Sequence, residues 1–216
     1  LSDLGVSGAE KSTLHIIEHL NNSMFTPIVI CINVGGPLER MLDKMNVQYY
    51  ILNKGSLTDL SGYVKMWKLL KTLKIDILHT QLFEAHIYGR IASIFAGVPI
   101  IMSTYRNSSY WLQSKELYDV VKKYIDMFTA KHFTDALIGV SEGVRNYYKS
   151  HGYKNNIFDV VYNSVNIDDV PVEHKSDFSI YEEYSISPSD KVIVAIGRLG
   201  KQKGYEYLFP AFKTVE

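Results

Sequence analysis

Short apolar runs alternate with longer stretches of helical period along most of the chain, and that alternation restricts the fold more than any single motif does. A short apolar run bounded by turn residues reads as a strand buried on both faces. Strands of that kind belong to a parallel sheet, where a helix must carry the chain back across one face before the next strand can start. Candidate strands fall at residues 28–33, 47–52, 75–80, 99–104, 136–140 and 158–162. Candidate helices fall between and around them at 9–20, 38–45, 60–74, 85–96, 115–132 and 142–150. Within 60–74 the period places Val64, Trp67, Leu70 and Leu73 on one stripe and Lys65, Lys68, Lys71 and Lys74 off it, so that stripe is expected to pack on the sheet. The fold class is α/β: a doubly wound parallel Rossmann-like sheet.

Gly5-Val6-Ser7-Gly8 has the form of a strand-to-helix turn with no strand before it, so the first strand of the sheet is expected to be missing and the start of the chain truncated. After Tyr162 the pattern breaks. The stretch from Asn163 to Asp190 is polar, carries Pro171 and Pro188 and shows no sustained amphipathic period. A buried-strand pattern restarts at residues 191–196 and leads through Gly197-Arg198-Leu199-Gly200-Lys201-Gln202-Lys203-Gly204 into a helical stretch, 205–215. The expected organisation is an N-terminal Rossmann-like domain over 1–165, an interdomain linker over 166–190 and the truncated opening of a second Rossmann-like domain over 191–216.

Charge narrows the function classes. Lys and Arg (23) balance Asp and Glu (23) over the 216 residues, so no global field exists to hold nucleic acid, and an anionic ligand must be bound locally. No window reaches the apolar length of a membrane span, which points to a soluble, cytoplasmic protein. The one cysteine, Cys31, lies in an apolar run and reads as a buried thiol.

In an open parallel sheet ligands bind beyond the carboxyl ends of the strands, so the residues that follow each strand are the candidates for chemistry. Gly8 and its neighbours read equally as a tight turn or as a backbone cradle for an anion at a helix N-terminus. His79-Thr80-Gln81 ends a strand; a lone histidine there is more often hydrogen-bonded structure than catalyst, and His79 with His86 makes no convincing metal pair. Ser103-Thr104-Tyr105-Arg106-Asn107 ends another, and a guanidinium at a strand terminus is well placed for a phosphate oxygen, with Tyr110 and Trp111 expected to be exposed beyond it. Gly197, Arg198, Lys203 and Gly204 surround a turn that feeds a helix N-terminus, which is a phosphate cradle in physical terms or a solvated basic turn.

The order of these segments resembles the large retaining glycosyltransferase group with two facing Rossmann domains (the GT-B architecture), glycosyltransferase family 4. The resemblance runs through Ser7-Gly8-Ala9-Glu10, Asp76-Ile77-Leu78-His79-Thr80-Gln81, Gly89-Arg90-Ile91-Ala92, Ala96-Gly97-Val98-Pro99, Val140-Ser141-Glu142, Val161-Tyr162-Asn163-Ser164-Val165-Asn166 and Gly197-Arg198-Leu199 with Lys203-Gly204. It implies transfer of a sugar from a nucleotide diphosphate sugar to a saccharide or lipid-linked acceptor, with retained anomeric configuration and without a metal or other cofactor. Arg198 and Lys203 would hold the donor diphosphate with Gly8, Gly197 and Gly204 around it; His79, Gln81, Arg106, Asn107, Ser141 and Glu142 would face the acceptor, His79 in a catalytic role. Departures from the family pattern are Gln81 where the second histidine of a His-x-His segment is usual, Arg106 near a frequent histidine, and Ser164 and Asn166 in the hinge motif. As it stands the chain is expected to be inactive.

Two other classes fit parts of this pattern: a nucleotide-sugar epimerase of the same architecture, and a non-catalytic partner that binds a carbohydrate or a glycosyltransferase. The stretch 115–132 carries a separate ambiguity. Its stripe Leu117, Val121, Tyr124, Ile125 and Phe128, accompanied by Lys115, Lys122, Lys123 and Lys131, reads as the core face of an ordinary helix or as an interfacial helix giving peripheral membrane contact.

Overall fold

The computed structural model describes residues 1–54, 57–165, 167, 180–187, 189–197, 199–200 and 203–214, apart from the side chains of Tyr110 and Ile180. The chain divides into two compact units, Leu1–Asn166 and Ile167–Glu216. The first holds β1 (Ile28–Cys31), β2 (Gln48–Ile51), β3 (Ile77–Gln81), β4 (Ile100–Tyr105), β5 (Ala136–Gly139) and β6 (Ile157–Val160). Its helices are α1 (Gly8–Glu18), α2 (Glu39–Lys44), α3 (Leu60–Leu73), α4 (Phe83–Ala96), α5 (Leu117–His132) and α6 (Glu142–Ser150), with a 3-10 turn at Tyr110–Gln113. Each strand and helix lies within a few residues of its expected place.

All strand pairing is parallel. β1 pairs with β2, and a second sheet runs β3-β4-β5-β6, so the expected single sheet is found as two. At the free edge of β1 the nitrogen of Leu1 donates to the Ile30 carbonyl and the nitrogen of Ile32 donates to the Leu1 carbonyl. Those are the two bonds by which one residue of a parallel strand engages its neighbour. Leu1 therefore occupies the place of a strand end, and the buried Ser2 and Leu4 follow it along the same edge. Gly36 faces this edge. A Cβ there would come within 2.4 Å of the Leu4 carbonyl oxygen, so only glycine lets the turn after β1 close on residues 1–4.

β1 shows why helices cover both faces. Val29 and Cys31 point into one core with Leu14 and Ile17 of α1 and Leu42 of α2. Ile30 and Ile32 point into another with Met66 and Leu70 of α3 and Tyr88 and Ala92 of α4. Period-two alternation buried on both sides is what a doubly wound sheet demands, and each fully buried aliphatic side chain contributes about 1.5–3 kcal/mol. A third core joins Tyr105, Leu112, Ala130, Leu137, Val144, Tyr148, Tyr153 and Phe158 over the second sheet. Cys31 is fully buried, as expected, and burial pushes its thiol up to about 11.

Two expectations are corrected. The buried stripe of α3 is Gly62, Met66 and Leu70, whereas Val64 faces solvent. Gly62 lets Tyr88 of α4 approach so closely that a Cβ would lie 2.7 Å from its ring, and Leu70 and Trp67 of the expected stripe do pack in the core, so the correction is the outward Val64 and the inward Met66. The second correction concerns residues 191–196, which form no strand; Val192, Ile193, Val194 and Ile196 are exposed. Among the described residues the second unit contains no other strand to complete a ladder, and an unpaired strand has no source of backbone hydrogen bonds. Among its described residues that unit has two helices, α7 (Ile180–Glu183), inside the segment expected to be a linker, and α8 (Tyr205–Phe212).

Candidate functional site

Parallel register brings the carboxyl ends of the strands to one edge. Gln81 lies opposite Thr104 and Tyr105 opposite Gly139, so residues that leave β3, β4 and β6 meet there with the first turns of α1. Arg106, one residue past β4, is the hub. Its Nε and Nη2 donate to Gln81 Oε1 at 2.9 and 2.5 Å, and its Nη1 donates to Ser12 Oγ at 2.6 Å and Asn163 Oδ1 at 2.7 Å. Thr13 Oγ1 adds a third bond to Gln81 Oε1 at 2.9 Å. Every one of these acceptors is neutral, and among the described residues no carboxylate lies within ion-pair distance of Arg106. Burial lowers its pKa, with the charge of Glu10 opposing, yet a guanidinium remains cationic at any physiological pH. The edge thus carries a fixed positive charge that forms no ion pair, with the Glu10 carboxylate acting on it only at longer range.

His79 stands next to this hub, its Nε2 2.7 Å from Thr104 Oγ1. Burial, helped by the charge of Arg106, pushes its pKa down to about 4, so the imidazole is neutral at pH 7. His86 is deeper. Its Nδ1 meets Thr80 Oγ1 at 2.9 Å, Thr80 meets Ser103 Oγ at 2.7 Å, and Ser103 accepts from Arg90 Nε at 2.9 Å. Arg90 ends this chain in a buried ion pair with Asp126 at 2.6 Å and donates further to Thr129 Oγ1 and Tyr105 OH. Tyr153 OH donates to the other Asp126 oxygen at 2.8 Å; burial and the adjacent carboxylate hold that phenol protonated far above its ordinary range. Arg90 and Asp126 thus tie α4, β4 and α5 together from inside.

A cavity of about 50 Å³ opens beside Arg106, lined among others by Phe83, His86, Asn107, Ser109, Trp111 and Tyr148. Trp111 was expected to be exposed; it is half-buried, edge-on to Phe83 with ring centres 5.2 Å apart. Lys122 of α5 lies across both rings, its Nζ 4.4 Å from the centre of Phe83 and 4.9 Å from that of Trp111. Leu82, also in the lining, has φ 71° and ψ 156°, a backbone conformation almost confined to glycine. Holding it in a leucine costs about 1–3 kcal/mol, and such strain concentrates where a strand must deliver the chain into a site.

The structure brings His79, Gln81 and Arg106 together and leaves Asn107 at the exposed rim of the cavity. Ser141 and Glu142 do local work instead. Ser141 Oγ accepts from Val144 N and caps α6, while Glu142 pairs with Arg145 one turn on. Gly8 begins α1 with open space where a Cβ would stand, so no close backbone approach requires glycine there. In the second unit the aliphatic chain of Lys203 packs on Gly197, Tyr205 OH donates to the Gly197 carbonyl at 3.1 Å, and Gly204 takes φ 68° to start α8. Arg198 lies outside the described residues. Ser12, Thr13 and Asn163 were not recognised as site residues from sequence. Asn163 sits at a strand end and position alone could have found it, whereas Ser12 and Thr13 are polar residues on a helix and carry no such signal.

Comparison with known proteins bears on the fold and the family. The chain is 27% identical over 215 residues to the UDP-Gal:α-D-GlcNAc-diphosphoundecaprenol α-1,3-galactosyltransferase of Escherichia coli, a match spanning 97% of this chain and 55% of that protein. The chain therefore spans about half the length of the curated relative it matches. Its fold resembles a glycosyltransferase from Rickettsia africae (TM-score 0.63, 19% identity, 99% of this chain and 56% of that one). It also resembles HepE of Anabaena in complex with UDP-glucose (TM-score 0.60, 16% identity, 77% of this chain and 44% of that one). Residues 6–169 match the sequence profile of Glycosyltransferase Family 4, and the chain belongs to that family.

Proposed function

We propose that the whole protein transfers a sugar from a nucleotide diphosphate sugar to a lipid-linked or other saccharide acceptor, with retention at the anomeric carbon and without a metal ion. The observation that carries this reading is Arg106, a buried-edge cation held only by neutral acceptors at the carboxyl end of a parallel sheet. Such a group binds an anion without first breaking an ion pair, and a diphosphate-linked acceptor of the kind used by the Escherichia coli relative supplies one. Neutral His79 and Gln81 orient the acceptor beside it. Arg198 and Lys203, with Gly197 and Gly204, hold the donor diphosphate and meet the charge that grows on the leaving group as the glycosidic bond breaks. The protein works in the cytoplasm as a peripheral protein at the inner face of the membrane, where a lipid-linked acceptor is found.

The full-length protein incubated with UDP-galactose or UDP-glucose and an N-acetylglucosamine diphosphate lipid should release UDP only when both substrates are present, and NMR of the product should show the donor's anomeric configuration retained. UDP release independent of acceptor, or an inverted product, would overturn the reading.

A further inference from the structure

The cavity beside Arg106 has a floor to which the proposed reaction gives no task. His86, only 2% exposed, lines it, and the hydrogen-bond network assigns the protons of its ring. The Met102 carbonyl can only accept, so it takes the Thr80 hydroxyl proton at 3.2 Å, while Ser103 Oγ, which accepts from Arg90 Nε, gives its own proton to Thr80. Thr80 Oγ1 is then left to accept from His86 Nδ1. The Nε2 atom is therefore a bare acceptor. It has no hydrogen-bond partner among the described residues, nor is it one of the orphan atoms sealed inside the protein, so it looks into the cavity. Burial, with the charge of Arg90 beside it, keeps the ring neutral at pH 7. A buried acceptor of this kind calls for a donor on the ligand.

The remaining walls define the group that brings it. Arg106 repels a cation, and the Nε2 lone pair and the Asp126 carboxylate repel an anion. Phe83 and Trp111, edge to face, make an apolar wall. Asn107 at the mouth accepts from Ser109 Oγ through its Oδ1 at 3.2 Å, which leaves its amide N–H groups to donate. A volume of about 50 Å³ admits roughly three or four groups the size of water. A hydroxyl alone is too small for it and a sugar ring too large. A neutral group of the right size that carries an N–H, a carbonyl and an apolar end is an acetamido group.

We propose that this cavity is a subsite for an acetamido group on the acceptor sugar, with His86 Nε2 accepting its N–H, Asn107 donating to its carbonyl, and its methyl lying against Phe83 and Trp111. Its place rests on the proposed function, in which Arg106 grips the acceptor's diphosphate. Arg106 lines the same cavity, and a phosphate on the anomeric carbon is adjacent to the carbon that bears the acetamido group of a 2-acetamido sugar.

The test compares short-chain alkyl diphosphates of N-acetylglucosamine, glucose and N-butanoylglucosamine as acceptors for the full-length protein with UDP-galactose or UDP-glucose. From the acetamido to the hydroxyl acceptor kcat/KM should fall about a hundredfold, the joint loss of an N–H on a buried acceptor and of a buried methyl. His86→Phe should lower that preference about tenfold by keeping a ring and removing its lone pair. Trp111→Ala, which opens the wall, should improve use of the N-butanoyl acceptor about tenfold relative to the N-acetyl one. No misfolded variant produces such a gain, so it serves where His86→Phe fails to fold. A parent that uses the glucose and N-acetylglucosamine acceptors alike, or a Trp111→Ala protein that still rejects the N-butanoyl group, overturns the subsite and leaves the transfer reaction standing. With no donor present, saturation-transfer NMR of the N-acetylglucosamine acceptor should show its strongest signal on the acetyl methyl. A methyl no more saturated than the sugar ring overturns the subsite whether or not transfer occurs, whereas absence of transfer to every acceptor overturns the proposed function alone.

Discussion

Arg90 and Arg106 lie one turn and one strand apart in the same fold, yet they are opposite solutions to a guanidinium in a protein interior. Arg90 is fully buried, and its hydrogen bonds go to a carboxylate, a carbonyl and three hydroxyls, so charge and donors are both matched. Arg106 is half-buried and meets only amide and hydroxyl oxygens, so its donors are matched while its charge has no carboxylate in contact. The difference separates architecture from function: a cation with a carboxylate partner has its electrostatic work done, and one without keeps that work available for a ligand.

The largest test of this contrast is Asp126→Asn. It leaves Arg90 buried without a counter-charge and should cost about 3–5 kcal/mol. Both tryptophans, Trp67 and Trp111, lie in the first unit, so urea unfolding followed by their fluorescence reads the loss there. An unchanged midpoint would place the structural centre elsewhere.

Next comes pH. His79 is neutral when folded, with its pKa near 4 against about 6.5 unfolded, so between those values the unfolded chain binds the extra proton. Stability should therefore be complete above pH 6.5 and fall as pH drops toward 4, by at most about 3 kcal/mol, reduced by the solvent that half-buried His79 still meets. His79→Gln should flatten the slope over that window while buried His86, whose pKa is lowered further still by burial, retains its own share.

Arg106→Ala should behave in reverse to Asp126→Asn. Unfolding should move by no more than about 1 kcal/mol, whereas transfer by the full-length protein should fall about ten- to a hundredfold, the worth of one charge-assisted hydrogen bond to an anion. Binding of free nucleotide diphosphate, followed by calorimetry, should stay the same. The smallest effect belongs to Tyr153→Phe, which removes one of the bonds to Asp126 and should cost about 1 kcal/mol in the same urea experiment with no change in transfer.

The contrast also marks what the sequence could tell. Strands and helices were legible because periods of 2 and 3.6 are local, and Arg106 because a strand end is a local mark as well. Ser12 and Asn163 were not legible as its partners, being 94 and 57 residues away from it along the chain. Which face of α5 turns outward was left open for the same reason: amphipathicity states that one face is apolar, while Arg90, 36 residues earlier, holds Asp126 inward and leaves Leu117, Val121, Tyr124, Ile125 and Phe128 exposed. Ser141 and Glu142 were over-read, since a serine and a glutamate at the first positions of a helix are sufficiently explained by capping and a one-turn ion pair.

The division of the strands between two sheets has a consequence for how the molecule assembles. In the order β3-β4-β5-β6 every strand pairs with the next one in the chain, so each crossover closes a short loop and the sheet can grow one strand at a time. The pair β1-β2 is just as local, with Ile28 opposite Gln48 as Ile77 is opposite Ile100, but two strands alone are marginally stable whereas four support one another. β1 and β2 come earlier in the chain and join that body through side chains, in the core they share with α3, α4 and Leu78 of β3, so they are expected to consolidate later and to exchange their amide hydrogens sooner than β4 and β5 do.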